Sequence, residues 1–404
     1  MILSDDNWRN IQLFRSLSNP KSLLNRFAPG NKETLKVEKL NERLLEFNRT
    51  FYSSNLMKLS VYSNESLETI EKWVFELFSP ITNLSISKRN MNLHPPAFEI
   101  DKNMKKFVEI VPIKDLDVLE FIWVINEDLH KYYRTKPDTV LGHLFGHEGP
   151  NSLLSLLKEE GLATALIQST DIDLDNSASF LVRIELTKKG FEKYQDVCEL
   201  VFYYLKKLKE KTIDDWKVIF EEFSKIEEIS FLFKDKMREI TYVSKLVNNM
   251  RIYPAENALN GEHIMDIFDF ELLMKILNIF TSDNLIIFFL SKNFQNKTSC
   301  HESFFNVHYN IFEIPEELML RLRNPRSEIA QSKKMLDLPP KNPFIPKNFE
   351  ILPKESIWPE PKRIYESEQS ILWFKQGTDF NLPKIVIELK IFTDKYFIIY
   401  LLYN

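Results

Sequence analysis

The densest set of chemistry-bearing side chains in the 404-residue sequence is Gly142-His143-Leu144-Phe145-Gly146-His147-Glu148-Gly149-Pro150. Two of the seven histidines stand there at i and i+4. On a helix that spacing puts both imidazoles on one face, where they could share a divalent metal. A carboxylate, Glu148, follows at once. The proteolytic zinc motifs are H-E-x-x-H and H-x-x-E-H, in which a Glu between the histidines serves as base. Here Leu144, Phe145 and Gly146 fill the interval, and Glu148 points about 100° away from His147 on an ideal helix. The spacing therefore predicts histidines that pack or hydrogen-bond beside a Gly-bounded turn. The sequence contains no H-x-x-E-H at any position.

Other catalytic signatures are missing as well. There is no G-x-x-x-x-G-K-[ST], no G-x-S-x-G and no G-x-G-x-x-G. Cys198 falls in a helical apolar pattern with Val197, Leu200, Val201 and Tyr204, which predicts a buried core thiol. Cys300-His301 and the nearby His308 are read as a loop, with a Cys/His nucleophile pair as the alternative to simple packing. Asp214–Glu228 reads as a solvated acidic helix face. Trp8, Trp73, Trp123, Trp216, Trp358 and Trp373 are scattered and fit core or interface roles.

Composition narrows the class of protein. The 53 basic and 58 acidic side chains give a formal charge of -5, which is not the basic footprint of a nucleic-acid binder. Two cysteines, Cys198 and Cys300, exclude a disulfide scaffold or a Cys-rich zinc module. The sequence opens without an apolar signal segment, and the late apolar run Tyr396–Tyr403 is far shorter than the roughly 18 residues of a spanning helix. A reducing, cytoplasmic setting without membrane partners is expected, and the N-x-S/T matches at Asn48, Asn64, Asn83 and Asn296 are read as fortuitous. Only 8 residues are Gly, so the three within Gly142–Gly149 stand out.

The elements that must position these residues read as α+β. Asp5–Leu17 is helical, Leu56–Ser63 alternates like a strand, and a helix capped by Asn64 or Ser66 runs through Phe78. Asn92–Ile100, with Pro95-Pro96, reads as a linker. Strands follow at Phe107–Ile113 and Val118–Val124, then two short helices, Thr139–His147 and Asn151–Glu160. Leu162–Ser169 and Ala178–Leu186 read as an antiparallel strand pair. Helices come next at Gly190–Lys209, Thr212–Phe231, Lys236–Asn249 and Phe268–Phe280, with a buried strand at Leu285–Leu290. Asn324–Pro353, rich in Pro and Lys, reads as an extended linker, and residues 368–392 as two strands.

With these segments in place, His143–Leu166 (HLFGHEGPNSLLSLLKEEGLATAL) resembles the insulin-degrading enzyme (insulysin) branch of the pitrilysin family of inverted-zincin metallopeptidases. Other segments agree in order: Asn7-Trp8-Arg9, Asn19-Pro20-Lys21, Tyr52–Met57, Val111–Asp115, Phe233–Lys236, Phe344-Ile345-Pro346, Asn348–Pro353 and Leu372–Gln376. The resemblance covers about residues 1–392. It implies repeated pitrilysin-type domains, each an antiparallel sheet packed with helices, incomplete here at both ends. Residues 1–92 would be the C-terminal part of a first peptidase domain, 93–323 a second (middle) domain, 324–348 a linker and 349–404 the start of a third.

The resemblance also implies an activity. Such enzymes are zinc metalloendopeptidases that hydrolyse short peptides in a closed chamber, with zinc on an H-x-x-E-H helix and a later Glu completing the metal site. Aligned on Asn7-Trp8-Arg9, that Glu would fall just before Met1. No catalytic residue and no metal ligand therefore transfers to this sequence. Zinc is the cofactor expected of the intact family member, with none ligated by this chain, which is expected to be inactive alone. The missing catalytic half could act in trans. What does transfer is a substrate exosite, at Gly142, His143, Gly146, His147, Glu148, Leu166, Ile167 and Gln168. There an extended peptide adds to a strand edge and its N-terminus is anchored at the Gly-rich turn. Gln168 departs from the Gly of relatives. The alternative is that Gly149-Pro150 merely joins two helices. Alternative functions are a non-catalytic peptide-binding partner or a degenerate gene product, the latter suggested by the unmatched apolar tail Asp394–Asn404.

Overall fold

Val118–Ile125 (VLEFIWVI) is a run of branched, aromatic and aliphatic side chains interrupted only by Glu120. Such a run suits a strand covered on both faces. The computed structural model describes residues 2–87, 95–174, 176–326, 328, 336–351, 360–377, 382–391 and 399–403. In it every residue of that run is buried. The run is β2, preceded by β1 (Lys106–Ile110) and followed by β3 (Ala163–Leu174), β4 (Ser177–Leu186), β5 (Ile286–Leu290), β6 (Cys300–Glu302) and β7 (Val307–Glu313). Together they form a seven-stranded sheet in the order β3-β4-β2-β5-β1-β7-β6. Only β1 and β5 pair in parallel; the other neighbours are antiparallel.

Helices α1 (Asp6–Ser16), α2 (Leu40–Phe51), α3 (Leu67–Phe78) and the single turn α4 (Ile100–Asn103) come before β1. α5 (Pro137–Phe145) and α6 (Leu153–Glu159) connect β2 to β3. Between β4 and β5 lie α7 (Lys188–Glu192), α8 (Tyr194–Lys209), α9 (Ile213–Leu232), α10 (Glu239–Ile252) and α11 (Phe270–Ile279), and α12 (Glu316–Arg323) follows β7. Several starts are set by side-chain caps. Asp5, Ser66, Ser152, Thr187 and Asp269 each accept a backbone N–H of the first helical turn.

The centre of the sheet, β2 and β5, is buried on both faces. On one, Phe121, Trp123, Phe180, Ile287 and Phe289 pack with Phe145, Leu156, Val201, Tyr204 and Phe280 from the helices. The indole N–H of Trp123, one of two fully buried tryptophans in this core, donates to Thr281 O at 3.1 Å. On the other face, Val108, Ile122, Val124 and Phe288 meet Leu13 and Phe14 of α1 together with Phe98. Polar contacts clamp α1 there. Asn10 donates to Glu120 at 3.2 Å, Glu120 pairs with Arg183, and Arg9 donates to Phe305 O at 2.7 Å.

Several segments differ from the sequence reading. Leu56–Ser63 forms no strand; Met57, Leu59 and Val61 alternate as expected, yet no strand among the described residues lies beside them to complete a ladder. Gly190–Lys209 is not one helix, because Lys193 leaves helical geometry (φ -111°, ψ 32°) and separates α7 from α8. Cys300-His301 lies on the short strand β6, not in a loop. The segments read as linkers are partly packed: Ala97 and Phe98 sit in one core, and Leu336 in the other. Residues 92–94, 327, 329–335 and 352–353 of those linkers, Trp358, and residues 394–398 and 404 of the tail lie outside the described residues.

Two compact units emerge: Met1–Ser224 with Met237–Asn342, and Lys225–Lys236 with Pro343–Asn404. The first holds the seven-stranded sheet. The second holds two hairpins, β8 (Lys362–Glu366) with β9 (Ile371–Phe374) and β10 (Ile387–Ile391) with β11 (Ile399–Tyr403). Residues 368–392 thus carry two strands, as expected, each paired with a strand outside that range. Within the second unit Phe233 stacks on Phe349 at 4.8 Å, and Asp235 pairs with Lys384 at 2.9 Å. No helix among the described residues is long and apolar enough to cross a membrane.

Candidate functional site

α5 starts with Pro137 at its first turn, where the missing N–H costs nothing, and ends at Gly146, whose N–H bonds back to Gly142 O at 2.8 Å. It lies beside β3, the last strand of the sheet on that side, so the outer edge of β3 has no partner strand among the described residues. Such an edge presents unpaired backbone donors and acceptors. α9 supplies a third wall. Between them opens a cavity of about 410 Å³ lined by Asp138, Thr139, Gly142, His143, Gln168, Thr170 and Phe223.

The contacts within the site are specific. A Cβ on Gly142 would lie 2.3 Å from Gln168 Oε1, so the Gln168 amide rests on the bare face of that glycine. Gln168 Nε2 donates to Thr170 Oγ1 at 3.1 Å, which holds it there. The His143 ring stacks on Phe223, with centroids 4.7 Å apart and planes 21° from parallel. Burial pushes the His143 pKa down, His147 adds to that, and Glu222 opposes it. Burial also pushes the Asp138 carboxyl up.

The second histidine is committed to the turn. His147 Nδ1 accepts the Gly149 N–H at 3.0 Å. The neutral ring then carries its proton on Nε2 and has no lone pair left for a metal. A Cβ at position 149 would meet His147 Cε1 at 2.6 Å, so glycine is what lets the ring fold over the turn. The two ring centres are 6.0 Å apart. These are hydrogen-bonding and packing histidines, as their spacing without an intervening Glu suggests. Among the described residues, no three His, Cys, Asp or Glu side chains converge to hold a metal ion.

The eight residues singled out from the sequence separate into groups. Gly142, His143 and Gln168 line the cavity. Leu166 is buried toward the helices, and Ile167, on the opposite face of β3, is 54% exposed. Gly146, His147 and Glu148 lie at the C-terminal end of α5, beyond the cavity lining. Glu148 is exposed and 3.9 Å from Lys158, a loose surface pair. Asp138, Thr139, Thr170 and Phe223 were not anticipated. Asp138 and Thr139 stand one helical turn before Gly142 and His143, a periodicity that points to them. Thr170 shares a strand face with Gln168. Nothing in the sequence links Phe223 to the site.

The cysteines form no nucleophilic pair. Cys198 is fully buried in α8, and burial drives its thiol pKa upward. Cys300 stands opposite Tyr309, whereas His301, one residue on, belongs to the other face of β6 and meets His308.

Comparison with known proteins gives a consistent result. Residues 40–219 match the family model described as the peptidase M16 inactive domain, and residues 231–397 match the middle or third domain of peptidase M16. Human insulin-degrading enzyme is 35% identical over 396 residues, covering 96% of this chain and 38% of that protein. Human nardilysin is 33% identical, covering 95% and 34%. The A-factor-processing enzyme of Saccharomyces cerevisiae is 31% identical, covering 95% and 37%. The crystal structure of pitrilysin superposes with a TM-score of 0.81 at 26% identity, covering 94% of this chain and 40% of that one. The chain thus spans less than two-fifths of the length of these curated relatives.

Proposed function

The chain belongs to the M16 peptidase family, and from that premise we propose that it forms a peptide-holding part of an insulysin-like zinc metalloendopeptidase. One observation carries the reading: the edge of β3, which has no partner strand among the described residues, runs beside a cavity walled by α5 and α9. An extended peptide laid on that edge would bond through its main chain, so affinity would depend little on its sequence. Its α-ammonium would be anchored at the C-terminal end of α5, where helix carbonyls and the Glu148 carboxylate both favour a cation. Gly142, Gly146 and the neighbouring His143 and His147 shape this wall, and Leu166, Ile167 and Gln168 supply the strand.

Zinc is the metal of the family's chemistry, but the described residues of this chain do not fit it. No three ligands converge, and the His143–His147 pair has one ring nitrogen already engaged by Gly149. We therefore assign no step of hydrolysis to these residues. Catalysis would come from the metal-bearing half of the enzyme, in the same polypeptide or in trans. A cytoplasmic setting accords with two unpaired cysteines, one of them fully buried.

The test is binding of a short unfolded peptide, labelled at its C-terminus, followed by fluorescence anisotropy. A free N-terminus should bind about tenfold more tightly than an acetylated one, the scale of one lost charge-assisted hydrogen bond. Glu148→Gln should erase most of that difference. Equal affinity of both peptides for the unaltered protein contradicts the ammonium anchor.

A further inference from the structure

The hairpin at the opposite edge of the sheet carries a second histidine pair that the peptide groove does not use. The register of β6 and β7 sets His301 directly across from His308, and both side chains are exposed while Glu302 and Val307 turn inward. Their ring centres lie 5.1 Å apart with planes 46° from parallel. Two imidazoles on one tetrahedral ion, each through a nitrogen about 2.0–2.1 Å from the metal, hold their ring centres about 5 Å apart. The pair is therefore already spaced for a shared ion.

A separate contact fixes the ligating atom. His301 Nε2 lies 2.5 Å from Asn306 Oδ1. An amide oxygen only accepts, so Nε2 bears the proton and Nδ1 keeps its lone pair. Metal-binding histidines generally have such an orienting partner on the other ring nitrogen. Asn306 itself is held in the hairpin turn at φ 55°, a left-handed conformation Asn tolerates. Arg9 pins that turn by donating to Phe305 O at 2.7 Å and Asn306 O at 3.3 Å. None of this holds for His143 and His147, whose centres are 6.0 Å apart and of which His147 spends its free lone pair on Gly149.

We propose that His301 and His308 form a surface site for a borderline transition-metal cation, with Asn306 as the positioning residue and water completing the coordination shell. Imidazole donors suit Cu2+, Ni2+ and Zn2+, and Cu2+ binds most tightly of the three. With two protein ligands the site is weaker than a structural four-ligand centre and leaves positions open to an incoming donor.

Titration of the purified chain with Cu2+ alone, read by calorimetry and by electron paramagnetic resonance, tests this. The expected result is one ion per chain with two nitrogen donors in the hyperfine pattern. H301A and H308A should each weaken binding at least tenfold, and N306A by about tenfold, the scale of an orienting partner. H143A should bind as the unaltered protein does. The nitrogen count needs no variant, so it stands even where a substitution disturbs folding. Binding that survives in the H301A/H308A double variant, that falls in H143A, that shows other than two nitrogens, or that does not saturate overturns the proposal.

Discussion

Gln168 sets how much of the groove is open. Its amide covers Gly142 and is tied to Thr170, so the strand edge is partly shielded where a bare backbone would admit a peptide. Gln168→Gly is expected to tighten peptide binding several-fold by anisotropy while costing about 0.5–1 kcal/mol of stability through backbone entropy. Weaker binding in that variant would mean that the amide contacts the peptide instead of blocking it. His143 and His147 make a second residue-scale prediction. Burial depresses both pKa values, so the unfolded chain, with His near 6.5, takes up protons first. The stability they contribute is complete above about 6.5 and is lost as the pH falls from there through the folded values. Thermal melts between about pH 7.5 and 5.5 should show a smaller acid-side drop for His143→Gln than for the unaltered protein; an equal drop contradicts this account. Gly142, His143 and Gln168 were legible from sequence because they lie within or directly beside His143–Leu166, the segment that carries the family likeness. Phe223 was not, since only the packing of α9 brings it to His143.

Elements were legible where period and burial agree. The apolar run of β2, broken only by Glu120, the continuous apolar run of β5 and the capped start of α3 at Ser66 follow from residue types alone. Failures arose where a partner decides. Leu56–Ser63 has a strand's alternation but no neighbouring strand among the described residues, and β6 has three residues, too few to show a period. α1 reads simply as helical; that it seals the second face of the sheet, through Leu13, Phe14 and the Asn10–Glu120 contact, depends on residues far away in sequence. The break between α7 and α8 likewise has a tertiary setting. Gly190 lies so close to Leu162 that a Cβ would sit 1.9 Å from its carbonyl oxygen. Gly190→Ala must therefore move backbone, and should cost about 1–3 kcal/mol or more in urea unfolding. An unchanged midpoint would mean that α7 can shift freely against the start of β3.

At the scale of the whole molecule, the sheet has two edges with different chemistry. β3 is long, flanked by a cavity and by α5, and bears the groove; β6 is short and shares the exposed histidine pair with β7, His301 on one strand and His308 on the other. α2 and α3 bury none of their residues, and Leu44, Phe47, Phe75 and Leu77 are among the apolar side chains they expose. Family membership, α+β architecture and the strand at Leu166–Gln168 could be read from ordered sequence matches, whereas the place of that strand at one end of the sheet follows only from strand order. The proposed function rests on peptide adding as a strand to β3. Hydrogen exchange of the backbone amides, with and without saturating unfolded peptide, tests it most directly. Exchange should slow within Ala163–Leu174 and around Gly146–Glu148, with β6 unchanged. Protection elsewhere, or none in β3 at saturation, would contradict it.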